Sequence, residues 1–248
     1  MEAQTSNPAG AIARARGVVV TRALFLCLLA ALTTTGGCNT TTLFQSNFDT
    51  TGFDQPPSPT QAVGTAEVSA EPNTVVVAQA PPNATPPAKW LRITRTKASS
   101  PASSFQGKLV RQQGNGTYTF STALFIPLGE TGPTTVQFEQ FSQPVEDPVG
   151  FLRLDFMPNG RVRLDNDENT FFGTFPFNQV FLVQVTLNIN DTSPSAHIVL
   201  SGAGATGNTE RDIIPALRTQ ALQFGAIRFL TGSPTIGTFY ATNVVVTH

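Results

Sequence analysis

A chain of 248 residues with 15 Lys and Arg against 16 Asp and Glu carries a formal net charge of −1, and only 12% of it is charged. That balance excludes a basic nucleic-acid-binding face, and the length suits one sizeable domain behind a leader. Gly (20), Pro (19) and Phe (19) are abundant, a composition that favours strands and turns over helices.

Arg14, Arg16 and Arg22 precede an unbroken apolar run from Ala23 to Leu32, and small residues follow as far as Gly37. This is the order of an export signal, and a run of ten apolar residues is too short to cross a bilayer as a helix. Residues 1–37 are therefore read as a leader; a start at Val18, Val19 or Val20 would give it a compact length. Of the two cysteines, Cys27 lies inside the apolar run and is lost on cleavage. The mature chain then keeps the single thiol of Cys38, with no internal disulfide. The segment Leu32-Thr-Thr-Thr-Gly-Gly-Cys38 resembles a bacterial lipoprotein signal. The resemblance implies that Cys38 is acylated, becomes the new N-terminus and tethers the protein to a membrane without spanning it. Asn39, where an aspartate would signal inner-membrane retention, implies the outer membrane or cell surface. Residues 38–42 then form a short tether and residues 43–248 the domain.

Beyond the tether the chain reads as short alternating segments broken by Gly, Pro, Asn and Asp, the pattern of a sandwich or barrel. Strands are expected at Leu43–Phe48 and, within the Pro-rich stretch between Asp54 and Pro87, at Val75–Val77. On the strand after Ala88, Trp90, Arg92 and Thr94 share one face and Leu91 and Ile93 the other. From Thr117 to Leu128, Tyr118, Phe120, Leu124 and Ile126 point one way and Thr117, Thr119 and Ser121 the other. Around Met157-Pro-Asn-Gly160, pairing Phe156 with Val162 leaves a three-residue loop, a type I turn followed by a left-handed Gly. The same register sets Asp155 opposite Arg163 and Arg153 opposite Asp165, as cross-strand ion pairs. From Gln179 to Asn190, Phe181, Val183, Val185, Leu187 and Ile189 form one apolar face. Asn208–Arg218 has weak helical character, limited by Pro215. The apolar phase slips at Gly225, which predicts a β-bulge.

Eleven or twelve strands with at most one short helix predict an all-β fold of two stacked antiparallel sheets, a jelly-roll sandwich. The closing segment Gly237-Thr-Phe-Tyr-Ala-Thr-Asn-Val-Val-Val-Thr-His248 and the central Phe-Leu-Arg-Leu-Asp-Phe hairpin resemble the concanavalin A-like lectin/glucanase superfamily, which includes laminin-G-like modules. Thr242 stands where members of that superfamily commonly carry an aspartate, so no role transfers to that position. The superfamily hosts enzymes, lectins and structural domains alike.

Retaining glycosidases need two carboxyls about 5–5.5 Å apart. No Glu-x-Asp-x-x-Glu array occurs, so the domain is read as non-catalytic. Asp165, Asp167 and Glu168 form an oxygen-rich turn that either holds a structural calcium or is simply solvated; no other cofactor is expected. Gly202-Ala-Gly204-Ala-Thr-Gly207 precedes further strands and so is a loop and not a nucleotide site. His197 and His248 have no partner at metal spacing. With one Trp and two Tyr against 19 Phe, aromatic residues are mostly core. Trp90 either closes the sandwich edge or stacks on a ligand from a face shared with Arg92, Arg153 and Arg163. The expectation is an exported, envelope-anchored lipoprotein with a non-catalytic binding or structural domain and a membrane, glycan or envelope-protein partner. A lectin is the alternative and a divergent glycan-cleaving enzyme the third reading.

Overall fold

Strict alternation of apolar and polar residues becomes strand after strand. The structure is a computed structural model and describes residues 40–84, 87–141, 148–164, 170–213, 221–232 and 235–248. The first strands in chain order are β1 (Thr42–Ser46), β2 (Thr65–Ser69), β3 (Val75–Gln79), β4 (Lys89–Arg95) and β5 (Ser104–Gln113). They are followed by β6 (Gly116–Phe125), β7 (Thr134–Phe141), β8 (Pro148–Phe156), β9 (Arg161–Leu164) and β10 (Phe171–Thr174). The last are β11 (Val180–Ile189), β12 (Ser195–Ser201), β13 (Thr206–Asp212), β14 (Phe224–Thr231) and β15 (Gly237–Thr247). Among the described residues there is no helix.

The fold is an all-β antiparallel jelly-roll sandwich. One layer, the front sheet, has the order β2-β5-β14-β7-β8-β9-β10. The other, the back sheet, has the order β13-β12-β11-β6-β15-β4-β3, with β1 pairing β15. Hydrogen bonding runs on from one layer to the other through β10 and β13, where Gly173 pairs with Gly207 and Thr174 with Thr206. Elsewhere the layers meet through side chains, with β14 against β4 and β7 against β15.

Inward positions carry the core. On β11, Phe181, Val183, Val185, Leu187 and Ile189 are all at most 1% exposed. Phenylalanines from both sheets interlock: Phe120 meets Phe138 edge-on at 5.1 Å, and Phe120 and Phe229 lie 6.3 Å apart. Each such pair stabilises by about 0.5–1.5 kcal/mol beyond its buried area. The abundance of Phe is thus spent on the gap between the sheets.

Local turn chemistry matches the sequence closely at β8–β9. Phe156 pairs with Val162, Gly160 has φ 77°, and its N–H donates to Met157 O at 3.0 Å. Met157 N–H in turn donates to Arg161 O at 2.9 Å, closing the three-residue loop. The register does break at Gly225, between Phe224 and Ala226, but the surplus residues are on the partner strand: residues 109–112 of β5 lie opposite Gly225 alone. Residues 202–207 form a tight turn that opens strand β13, so no helix N-terminus is there to hold a phosphate.

Two expectations are corrected. Asn208–Asp212, read as weakly helical, belongs to β13, pairing β12 and β10; the rest of that segment, from residue 214, lies outside the described residues. Every second position of β13 is exposed and none is buried, so the strand is made by its neighbours' backbones and leaves no hydrophobic alternation to read. The strand count is also higher than expected among the described residues, at 15. Short segments such as β2, β9 and β10 have four or five residues each, too few for a periodic signal.

Candidate functional site

Outward positions of the front sheet fall into register as rows of polar side chains. Gln106 of β5 lies beside Arg228 of β14, Arg228 beside Gln137 of β7, and Gln137 beside Arg153 of β8. In the neighbouring rows Thr135 lies beside Asp155 and Asp155 beside Arg163, while Ala226 lies beside Glu139. Two carboxylates organise this face. Asp155 Oδ1 accepts from Thr135 Oγ1 at 2.6 Å and from Arg153 Nε at 2.8 Å, and Oδ2 accepts from Arg163 Nη2 at 3.0 Å. Glu139 Oε1 accepts from Arg228 Nε at 2.7 Å and Gln137 Nε2 at 3.0 Å, and Oε2 accepts from Gln106 Nε2 at 2.5 Å.

Although both carboxylates point away from the core, Asp155 is 0% and Glu139 1% exposed. The arginine side chains lie across them while remaining in contact with water themselves, at 28% for Arg153, 14% for Arg163 and 24% for Arg228. Burying a charge pair costs desolvation that its mutual attraction barely offsets, and apolar residues of similar volume often stabilise as well or better. What the arrangement supplies is position: the guanidinium groups of Arg153, Arg163 and Arg228 are held in place by the carboxylates beneath them. A break in register between β7 and β8 adds shape. Phe138 pairs with Leu152 but Glu139 with Gly150, so Phe151 is the extra residue. A Cβ at Gly150 would come 2.6 Å from Gln137 Nε2, so a larger residue there would displace the Gln137 side chain. Beside the bulge lies a cavity of about 280 Å³, bordered by Gln137, Phe151, Arg153, Arg211 and Asp212.

The four residues expected to share one ligand-binding face do not. Arg153 and Arg163 lie together on the front sheet, while Trp90 and Arg92 lie on β4 of the back sheet. The outward direction of Trp90 is as expected, but the ring is 1% exposed, so stacking of a ligand on it is corrected. It forms a buried cluster with Ala123 and Phe125, against which Ala80 and Ala84 from the β3–β4 connection, Leu182 and Tyr240 pack. Its Nε1–H donates to Pro87 O at 3.0 Å, satisfying the one polar group a buried indole carries. Arg92 remains about one-third exposed and lies 3.7 Å from Asp54.

Sequence reasoning missed Glu139, Gln106, Gln137 and Arg228 on the front, and Tyr240 on the back. Tyr240 pairs with Arg92 on one side and Phe125 on the other. The alternation Phe239-in, Tyr240-out, Ala241-in was the available signal. The ion pair of Asp155 with Arg163 is present, and Arg153 also bonds Asp155. Asp165, Asp167 and Glu168, the calcium candidates, lie outside the described residues, as do Cys38 and the leader.

Elsewhere, the outward face of β6, β11 and β12 is a ladder of uncharged polar groups such as Thr119, Thr186, Ser121 and Gln184, ending at His197, whose Nε2 lies 2.7 Å from Asn208 Oδ1. Burial pushes the Glu130 carboxyl above the usual carboxylate range, opposed by the Thr238 N–H that it accepts at 2.7 Å. Burial likewise raises the Tyr118 phenol, whose O–H donates to Gly114 O at 2.9 Å. Among the described residues no helix is long and apolar enough to cross a membrane.

No protein-family model and no curated protein matches the chain. Solved structures are similar to it at low identity. Lectin I from Ulex europaeus, in complex with the methyl glycoside of α-L-fucose, is 10% identical, covering 85% of this chain and 98% of its own with a TM-score of 0.47. Arcelin-5, a lectin-like defense protein from Phaseolus vulgaris, is 8% identical over 85% and 98%, with a TM-score of 0.46. A double-cysteine variant of alginate lyase A1-II′ is 11% identical over 64% and 79%, with a TM-score of 0.47.

Proposed function

We propose that this chain is an exported cell-envelope lipoprotein, held at the membrane through acylated Cys38, whose sandwich is a non-catalytic module that binds a glycan on the front sheet. The observation that carries the binding reading is the arginine cluster: Arg153, Arg163 and Arg228 fixed over the buried carboxylates of Asp155 and Glu139. Such a cluster is costly as a device for stability and well suited to presenting N–H donors to the hydroxyl and carboxyl oxygens of a saccharide. The non-catalytic reading draws support from the same geometry. Both carboxylates are already occupied by arginine, amide or hydroxyl donors and closed off from water, which leaves neither placed to exchange a proton with a substrate.

A glycan array probed with the full-length protein and its Arg153→Ala variant tests the binding. Specific signals that fall at least about tenfold in the variant support it; signals indifferent to Arg153→Ala would refute the assignment of this face. Release of new reducing ends from any array ligand would overturn the non-catalytic reading. For the anchor, Cys38→Ser should move the protein out of the membrane fraction and end labelling by a palmitate analogue.

A further inference from the structure

Opposite the arginine cluster, on the outward face of the back sheet, the structure assigns a second binding site: a pocket at Tyr240 that takes one pyranose ring of a neutral saccharide. It goes beyond the reading above and stands on different residues. The pocket has a volume of about 370 Å³ and is bordered by Pro82, Asn83, Phe125, Pro127, Asn178 and Tyr240. Ligand sites of small molecules begin at roughly this volume and combine an apolar, aromatic wall with a few polar groups.

The wall is built from strand register. Tyr240 of β15 and Phe125 of β6 are paired neighbours, their rings 5.8 Å apart and nearly perpendicular at 83°. Phe125 is 4% exposed and Trp90 1%, so both are foundation. Tyr240, only partly buried, is the ring that a ligand can reach. Its underside rests on the cluster of Trp90, Ala123 and Phe125, which removes rotamer freedom that a ligand would otherwise have to immobilise. Asn83 and Asn178 hold the two turns beside it in left-handed backbone conformations, φ 65° and 57°. Asn178 Oδ1 accepts from Leu128 N–H at 3.1 Å, fixing that amide in place. Arg92 and Asp54, 3.7 Å apart, lie next in the register beyond Tyr240.

One accessible ring with amide groups on two sides makes a site with a flat apolar floor and polar edges. That is the chemistry of a pyranose, whose C–H face covers an aromatic ring while its equatorial hydroxyls exchange hydrogen bonds around the perimeter. A proline-rich peptide needs a groove lined by several accessible aromatics, and here Tyr240 is the single accessible one among the pocket's residues. The charges near it, Arg92 and Asp54, are paired with each other, which favours a neutral sugar over an acidic one.

The sole tryptophan lies in the same cluster and reports on the site. Titration of the full-length protein with cellohexaose, laminarihexaose and mannohexaose should shift Trp90 emission saturably with at least one of them. Tyr240→Ala should weaken that binding about tenfold or more, and Tyr240→Phe should retain it within about twofold, because the ring face and not the hydroxyl does the stacking. Asn83→Asp, which suits the same left-handed backbone, should weaken it without touching the aromatic cluster, so the result does not depend on Tyr240→Ala folding. No emission change with any of the three sugars, or a response that persists in folded Tyr240→Ala, overturns the assignment.

Discussion

The two outward faces of the sandwich solve the same problem in opposite ways. On the front, β7, β8 and β9 direct charged groups outward and then bury the carboxylates beneath arginines, so that Asp155 and Glu139 are sealed although no core residue covers them. On the back, β4, β6 and β15 direct Trp90, Phe125 and Tyr240 outward and seal the first two with a loop and a partner ring. The lesson is that outward position does not mean solvated. A strand face can be closed by its own long side chains or by a neighbouring connection, and the energetics differ: the front face depends on charge pairing, the back on area and packing.

Mutations can break this contrast in order of size. Asp155→Ala removes the shared acceptor of Arg153, Arg163 and Thr135, leaving cations beside a vacancy. A loss of about 3–5 kcal/mol is expected in denaturant-melt midpoints, and a loss below ~1 kcal/mol would show the front face to be solvated after all. Trp90→Phe keeps an aromatic ring but gives up volume and the bond to Pro87 O. It should cost about 2 kcal/mol and leave glycan-array binding through the front face intact. A neutral outcome would mean that the back-face cluster is loosely packed.

The smallest effect concerns Glu130, between the layers' edges, where its carboxyl bonds Thr238 N–H. Its folded-state pKa is raised by burial. The folded protein therefore holds that proton more tightly than the unfolded chain, and stability declines as pH rises from the ordinary glutamate value through the raised one. Glu130→Gln keeps an acceptor for Thr238 and has nothing to ionise, so its melting curve should be flatter than that of the native protein over the same pH interval. An identical slope in both proteins would assign the pH dependence elsewhere.

Which of these features could be read in the sequence follows from how local their causes are. The Met157–Gly160 turn was legible because loop length, Gly160 and the phase of Phe156 and Val162 all act within a few residues. The inward set on β11 was legible for the same reason. Sheet membership was not. Alternation along β4 and β8 states that Arg92 and Arg153 point outward, but their neighbours are β15 and β7, and only the crossover connections decide that these belong to opposite layers. The burial of Trp90 was illegible because its cover comes from Ala80, Ala84 and a tyrosine 150 residues later in the chain. Strand β13 carries no buried position at all, so its pairing has no side-chain signature. Glu139 and Asp155 look in sequence like ordinary solvent-facing acids; only the register that brings Arg228 and Arg163 alongside makes them buried.

The chain enters and leaves the sandwich at one corner: Thr41 N–H donates to His248 O and His248 N–H to Thr41 O, both at 2.9 Å. From that corner β6 runs from Thr119, beside Thr247, to Phe125, beside Tyr240, so the pocket at Tyr240 stands roughly 20 Å along the strand axis from the Thr41–His248 pair. Force applied between that corner and the Tyr240 end would therefore run lengthwise through the sandwich. Strand β1 would be drawn along its own axis against β15, and since ladder hydrogen bonds run across the strands, the rungs between Thr42 and Ser46 would resist together in shear instead of opening one at a time.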